Sequence, residues 1–160
     1  MVVRSVDAKI TPEAQLRSLI EKLEPDDRRL IRSVRSALRK RLPTANEFVY
    51  DYGSFFVITY SPTDRPTDGI VSAAARTDGV RLYLTQAPRL PDPKKLLMGK
   101  GKQARFIPVE AARRLAHPDV EALIAAAIDQ ANVPLPSKGP GMLVMQTFAG
   151  KRRPLRRRAK

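Results

Sequence analysis

The chain reads as an α+β domain: a five-stranded antiparallel sheet in meander-like order, with N- and C-terminal helices packed on one face as a second layer. Three observations predict this. Apolar residues recur at helical spacing at the start of the chain and again after Pro118. Between them, residues 46–109 are rich in β-branched and aromatic residues, divided by Gly-Ser, Asp-Gly and proline-containing turns. Finally, 160 residues at 42% hydrophobic content suffice for one core without disulfide or metal staples.

Residues 1–10 show no sustained period and are expected to form a flexible N-terminus. Thr11 before Pro12 and Glu13 is a helix start, combining a hydroxyl cap, a first-turn proline and an acid at the positive end of the dipole. Leu16, Leu19, Ile20 and Leu23 carry that helix to about Leu23. Pro25-Asp26-Asp27 opens a second helix by the same logic, with Leu30, Ile31, Val34, Leu38 and Leu42 on one side. Arg28, Arg32, Arg35 and Arg39 form a stripe on another side, and Pro43 ends the helix.

Glu47–Tyr52 and Phe55–Ser61, split at Gly53-Ser54, predict a hairpin. Strands over about Ile70–Arg76 and Val80–Thr85 follow, joined at Asp78-Gly79. The alanines of the former would let a helix pack closely. A short apolar helical turn at Leu96–Met98 then leads through Gly99-Lys100-Gly101-Lys102 into a fifth strand, Ala104–Val109. Glu110–Leu115 is a candidate short helix. The clearest helix starts at His117-Pro118-Asp119, with Val120, Leu123, Ile124, Ala127, Ile128 and Ala131 on one face. The expected folded domain is therefore 11–132. Residues 133–160 read as a Pro/Gly linker, the apolar segment Met142–Phe148 and a basic tail. Two fates are open to Met142–Phe148, an added edge strand or docking on the body.

Charge is the outlier. The net charge is +14, and the last ten residues, KRRPLRRRAK, hold seven cations and no acid. Such a balance points to a polyanionic partner such as nucleic acid, or to an anionic membrane surface. Zero cysteines excludes disulfides, thiolate metal sites and thiol nucleophiles. No apolar run approaches the roughly 20 residues needed to span a bilayer, and MVVRSVDAKI lacks a signal-peptide core. A cytoplasmic protein is expected.

Residues 46–109 resemble the YdhG-like family, known as domain of unknown function 1801. The stretches that carry the resemblance are NEFVYDYGSFFVITYSPTDRPTDGI and VRLYLTQAPRLPDPKKLLMGKGKQARFIPV, with the final helix in family order. The resemblance implies a frataxin-like fold and, for some members, an iron-chaperone role, so iron is the alternative cofactor. Family members commonly carry Gly-Ser-Gly-Lys where this chain has Gly99-Lys100-Gly101-Lys102, and Arg-His-Ile where it has Arg105-Phe106-Ile107. These departures add a cation and remove a metal ligand.

The residues sort the chemistry as follows. Glu21, Glu24, Asp26 and Asp27 are the only dense acidic group, a weak set for a hard cation. Their plain reading is favourable charge at a helix start. His117 is the only histidine and reads as a cap or loop residue. Asp51 alternates with Tyr50 and Tyr52, which places it on the opposite sheet face from them. No nucleophile-elbow or zinc-ligand motif is present, so the expected protein is not an enzyme. Anion binding has two candidate sets. Lys95, Lys100, Lys102 and Arg105 surround the Gly-Lys turn, where glycines at positive φ would let N–H groups converge on a phosphate. The plain reading is a helix-to-strand connection with solvated lysines. The second set joins Arg28, Arg32, Arg35 and Arg39 to Lys151, Arg152, Arg153, Arg156, Arg157 and Arg158, for sequence-tolerant polyanion contact. The open face of the sheet is a third, protein-binding alternative.

Overall fold

The computed structural model describes residues 10–147. The expectations for residues 1–9 and for Lys151–Arg158 lie outside that range. Three α-helices, α1 (Pro12–Glu21), α2 (Pro25–Arg41) and α3 (Pro118–Asp129), accompany six strands. These are β1 (Asn46–Asp51), β2 (Phe56–Ser61), β3 (Val71–Arg76), β4 (Gly79–Leu84), β5 (Arg105–Val109) and β6 (Leu143–Thr147). A 3-10 turn at Ala112–Ala116 stands where a short helix is expected, and 3-10 turns also occupy Pro66–Asp68 and Ala87–Arg89.

The α+β class holds, but the sheet differs from the expected one in number and direction. It has six strands in the order β5-β4-β3-β2-β1-β6 and is mixed, because β6 runs parallel to β1. The antiparallel meander β1–β5 is as expected. Direction at the β6 edge follows from the connection. α3 carries the chain back along the sheet after β5, so β6 enters from the same end as β1. Two contacts fix the entry: the Met142 N–H donates to Asn46 Oδ1 and the Glu47 N–H donates to the Met142 carbonyl, both at 2.8 Å. Gly141 lies so close to the Ala45 carbonyl that a Cβ there would sit 1.7 Å from its oxygen.

Register puts Val49, Ile58, Ala73, Leu82 and Ile107 in one row across the sheet. These side chains join Leu16, Ile20, Ile31, Val34, Leu38, Val120, Leu123 and Ile124 in a single core. Each fully buried aliphatic side chain there contributes about 1.5–3 kcal/mol against exposure. α2 contacts β3 and β4, where Ala73 and Ala75 leave room for its apolar side. The other sheet face carries Tyr50, Tyr83, Phe106, Arg76 and Arg81. Arg81 lies over Phe106 at 4.2 Å and Arg76 over Phe55 at 4.8 Å.

The helix starts follow their sequence signals. Thr11 accepts the Ala14 N–H at 3.1 Å, with Pro12 next in the chain. His117 caps α3 through Nδ1, accepting the Asp119 N–H at 3.2 Å. Among the described residues no helix is long and apolar enough to cross a membrane.

Candidate anion-binding groove

α1 and the C-terminal part of α2 leave between them a groove of about 540 Å³. Glu13, Leu16, Arg17 and Ile20 of α1 line one side, and Arg32, Arg35, Ser36, Arg39 and Lys40 of α2 line the other, with Pro43 at one end. Five cations and one carboxylate therefore face one concavity. The spacing of α2 explains the set. Positions 32, 35 and 39 fall on one side of the helix, while Ile31, Val34 and Leu38 of the adjacent side are buried in the core.

Arg35 is the ordered centre. Its Nε and Nη2 donate to the two oxygens of Glu47 at 2.9 and 2.8 Å, a bidentate pair. Glu47, at the start of β1, is 5% exposed and also accepts the Tyr60 hydroxyl at 2.7 Å. On its groove side Arg35 donates from Nη1 and Nη2 to Glu13 at 3.3 and 2.8 Å. The hydrogen bonds that Arg35 donates to Glu47 hold its pKa above the ordinary value, against desolvation. Tyr60 is pushed up first by burial and then by the Glu47 charge. Glu13 is held down first by its Arg35 hydrogen bond, and also by the charges of Arg35, Arg39 and Arg17.

The arginine stripe thus divides. Arg32, Arg35 and Arg39 share the groove, with Arg32 and Arg39 exposed. Arg28 stands apart: its Nε donates to the Leu23 carbonyl at 2.8 Å, closing the end of the α1–α2 connection. Arg17, Lys40 and the acids Glu13 and Glu47 complete the site without having been singled out from sequence. Glu47 carried a readable signal, since alternation sets it on the same strand face as Val49. An acid on an apolar strand face calls for a cationic partner.

The Gly-Lys turn is built differently from a phosphate cradle. Gly99 has φ of +99°, whereas Gly101 is not in the left-handed region. The Leu96 and Leu97 N–H groups do converge, but on the Asp92 carboxylate, at 2.8 and 2.9 Å. Lys95 and Arg105 line a depression with Asp92, while Lys100 and Lys102 are exposed outside its lining. Arg105 Nε donates to the Gly101 carbonyl at 3.0 Å. Met98 bridges to Phe106 instead of forming a helical turn.

Glu21, Glu24 and Asp26 are exposed at the α1–α2 connection, with Asp27 half-buried. Asp26 pairs with Arg29. Among the described residues no group of three or more His, Asp or Glu side chains is gathered as a metal ion would need. Tyr50 and Tyr52 stack at 6.2 Å, and Asp51 accepts the Gly53 N–H at 2.9 Å.

Fold and groove together define an α+β domain with a basic cleft between two helices. Comparison with protein-family models, with curated protein sequences and with solved structures returns no match.

Proposed function

We propose that this chain is a non-enzymatic binding module that takes phosphate-bearing polyanions, nucleic acid in the first place, along the α1–α2 groove. The observation that supports it is the gathering of Arg17, Arg32, Arg35, Arg39 and Lys40 around one concavity, with Arg35 pre-oriented by Glu47. Guanidinium forks match phosphate oxygens two at a time, and a fork already held in place loses less freedom on binding. The net charge of +14 and the seven cations of residues 151–160 add contacts that do not depend on sequence. No base-reading motif accompanies them, so the affinity is sequence-tolerant, with Kd on the order of 10⁻⁴–10⁻⁶ M at physiological salt.

The test is fluorescence anisotropy with a labelled single-stranded 20-mer between 50 and 200 mM salt. Arg32→Glu combined with Arg39→Glu is expected to weaken binding and to lower the salt slope by about 1.4, near 0.7 per lost contact on a single strand. Replacing the six cations Lys151–Arg158 by Gln measures the other contribution while leaving β6 in place. Binding that is indifferent to the Arg32/Arg39 reversal refutes the groove as the site.

A further inference from the structure

We infer that Glu13 is a built-in occupant of a phosphoryl subsite, and that the ligand's phosphoryl group displaces it from Arg35. The inference builds on the polyanion reading of the same groove and names what the groove binds at its centre.

The two carboxylates on Arg35 are not equivalent. Glu47 is 7% exposed at its side chain, meets the guanidinium through Nε and Nη2, and is pinned from behind by the Tyr60 hydroxyl. Removing it from Arg35 would strand a buried charge. Glu13 is 52% exposed, meets the outer edge through Nη1 and Nη2, and sits in the first turn of α1 with open solvent beside it. It can swing into water at little cost, because exposed ion pairs are weak. Glu47 is therefore the permanent anchor and Glu13 the removable partner.

Glu13 also stands where a foreign anion would stand. Arg35 donates two hydrogen bonds to it, and Arg39 and Arg17 contribute attraction from both helices. Arg32 and Lys40 line the same groove and stay available for neighbouring charges of an extended ligand. A phosphoryl group brings more oxygens than a carboxylate, so it can take the Arg35 edge and still offer oxygens to Arg17 or Arg39. Specificity follows in part from competition: a weak anion does not outbid Glu13, whereas a phosphoryl group held by several cations does.

The experiment compares Glu13→Gln with Glu21→Gln, an exposed acid of the same helix outside the groove. The probes are the labelled 20-mer and inorganic phosphate, the latter followed by isothermal calorimetry. Glu13→Gln is expected to tighten 20-mer binding roughly fivefold at 50 mM salt and to raise the salt slope by about 0.7, one added contact on a single strand. Glu21→Gln is expected to leave the slope unchanged. If inorganic phosphate also binds Glu13→Gln more tightly than wild type, an isolated phosphoryl group suffices. If only the 20-mer does, the subsite accepts the group as part of a backbone. Glu13→Gln and Glu21→Gln giving the same affinity and slope overturns the inference while leaving the groove reading to its own Arg32/Arg39 test. A chain on which neither probe binds, in wild type or in Glu13→Gln, overturns both.

Discussion

Arg35→Ala tests whether the centre of the site is also a structural keystone. The substitution leaves Glu47, 7% exposed at its side chain, with the Tyr60 hydroxyl still donating to it. Breaking one side of a buried ion pair costs about 3–5 kcal/mol, since the other charge stays uncompensated. Truncating Arg35, which itself lines the groove, opens a path for water to Glu47, which places the expectation near the lower end, about 3 kcal/mol. The Glu13 contact, half exposed, adds under about 1 kcal/mol. With a urea m-value of about 2 kcal/mol/M, the midpoint falls by about 1.5 M. Tm falls by about 6–12 °C for a chain of this size. Circular dichroism under urea and heat measures both. The companion is the apolar replacement Arg35→Met/Glu47→Leu/Tyr60→Phe, which removes the buried polar partners together, leaves the half-exposed Glu13 to water, and is expected to recover most of the loss. A loss below about 1 kcal/mol in Arg35→Ala refutes the reasoning. So does an apolar triple variant less stable than Arg35→Ala.

Tyr60→Phe removes a hydrogen bond to a charged acceptor and is expected to cost about 1.5–3 kcal/mol in the same urea assay. The alkaline limb of stability carries the same residue. A pKa raised by folding contributes stability that is complete below the unfolded value of about 10 and is lost as pH rises through the folded one. Wild type is therefore expected to lose stability above about pH 10, and Tyr60→Phe less steeply, as read from urea midpoints against pH. Glu13 has the opposite sign: its lowered pKa contributes stability present above about pH 4.3 and lost as pH falls through the folded value. At half exposure that contribution is small, so Glu13→Gln flattens the acid limb by a few tenths of a kcal/mol at most. Asp92→Ala unties the Leu96 and Leu97 N–H groups, with an expected loss of about 1 kcal/mol and faster hydrogen exchange at those two amides. Gly141→Ala drives a Cβ into the Ala45 backbone, and about 1–3 kcal/mol of overpacking is expected, with exchange protection lost first across β6.

Much of the fold is legible because its signals are local. Thr11-Pro12, Pro25 and His117-Pro118 each mark a helix start that the structure keeps, and the alternation of Val80, Leu82 and Leu84 sets the face of β4. The sheet's sixth strand was harder to read because its partner is remote. Leu143–Thr147 pairs with a strand almost a hundred residues earlier, and nothing within MLVMQT encodes direction. The Leu96–Met98 turn misled for a related reason. Its residues are good helix formers, but Met98 finds a non-local partner in Phe106 and Asp92 claims the free N–H groups. At the groove, helical spacing put Arg32, Arg35 and Arg39 together correctly. It said nothing of Arg17 or Glu13, which a different helix supplies, and Arg28 was drawn away by a carbonyl of the turn before it.

The placement of β6 also has a temporal consequence. Asn46 and Met142, which form the clasp at the mouth of that seam, lie 96 positions apart. During synthesis from the N-terminus, β1 must wait with one flank unzipped until a segment 96 positions later has left the ribosome. At about 5–20 residues per second that interval lasts roughly 5–20 s, in which Val49 and Phe48 flank a bare strand edge. The far margin of the sheet needs no such wait, since Pro108 sits within β5 and removes one of the N–H groups another strand would grip. A nascent chain of this protein is therefore most vulnerable to aberrant pairing along β1, and a chaperone that shields that margin would raise its yield more than one acting anywhere else on the sheet.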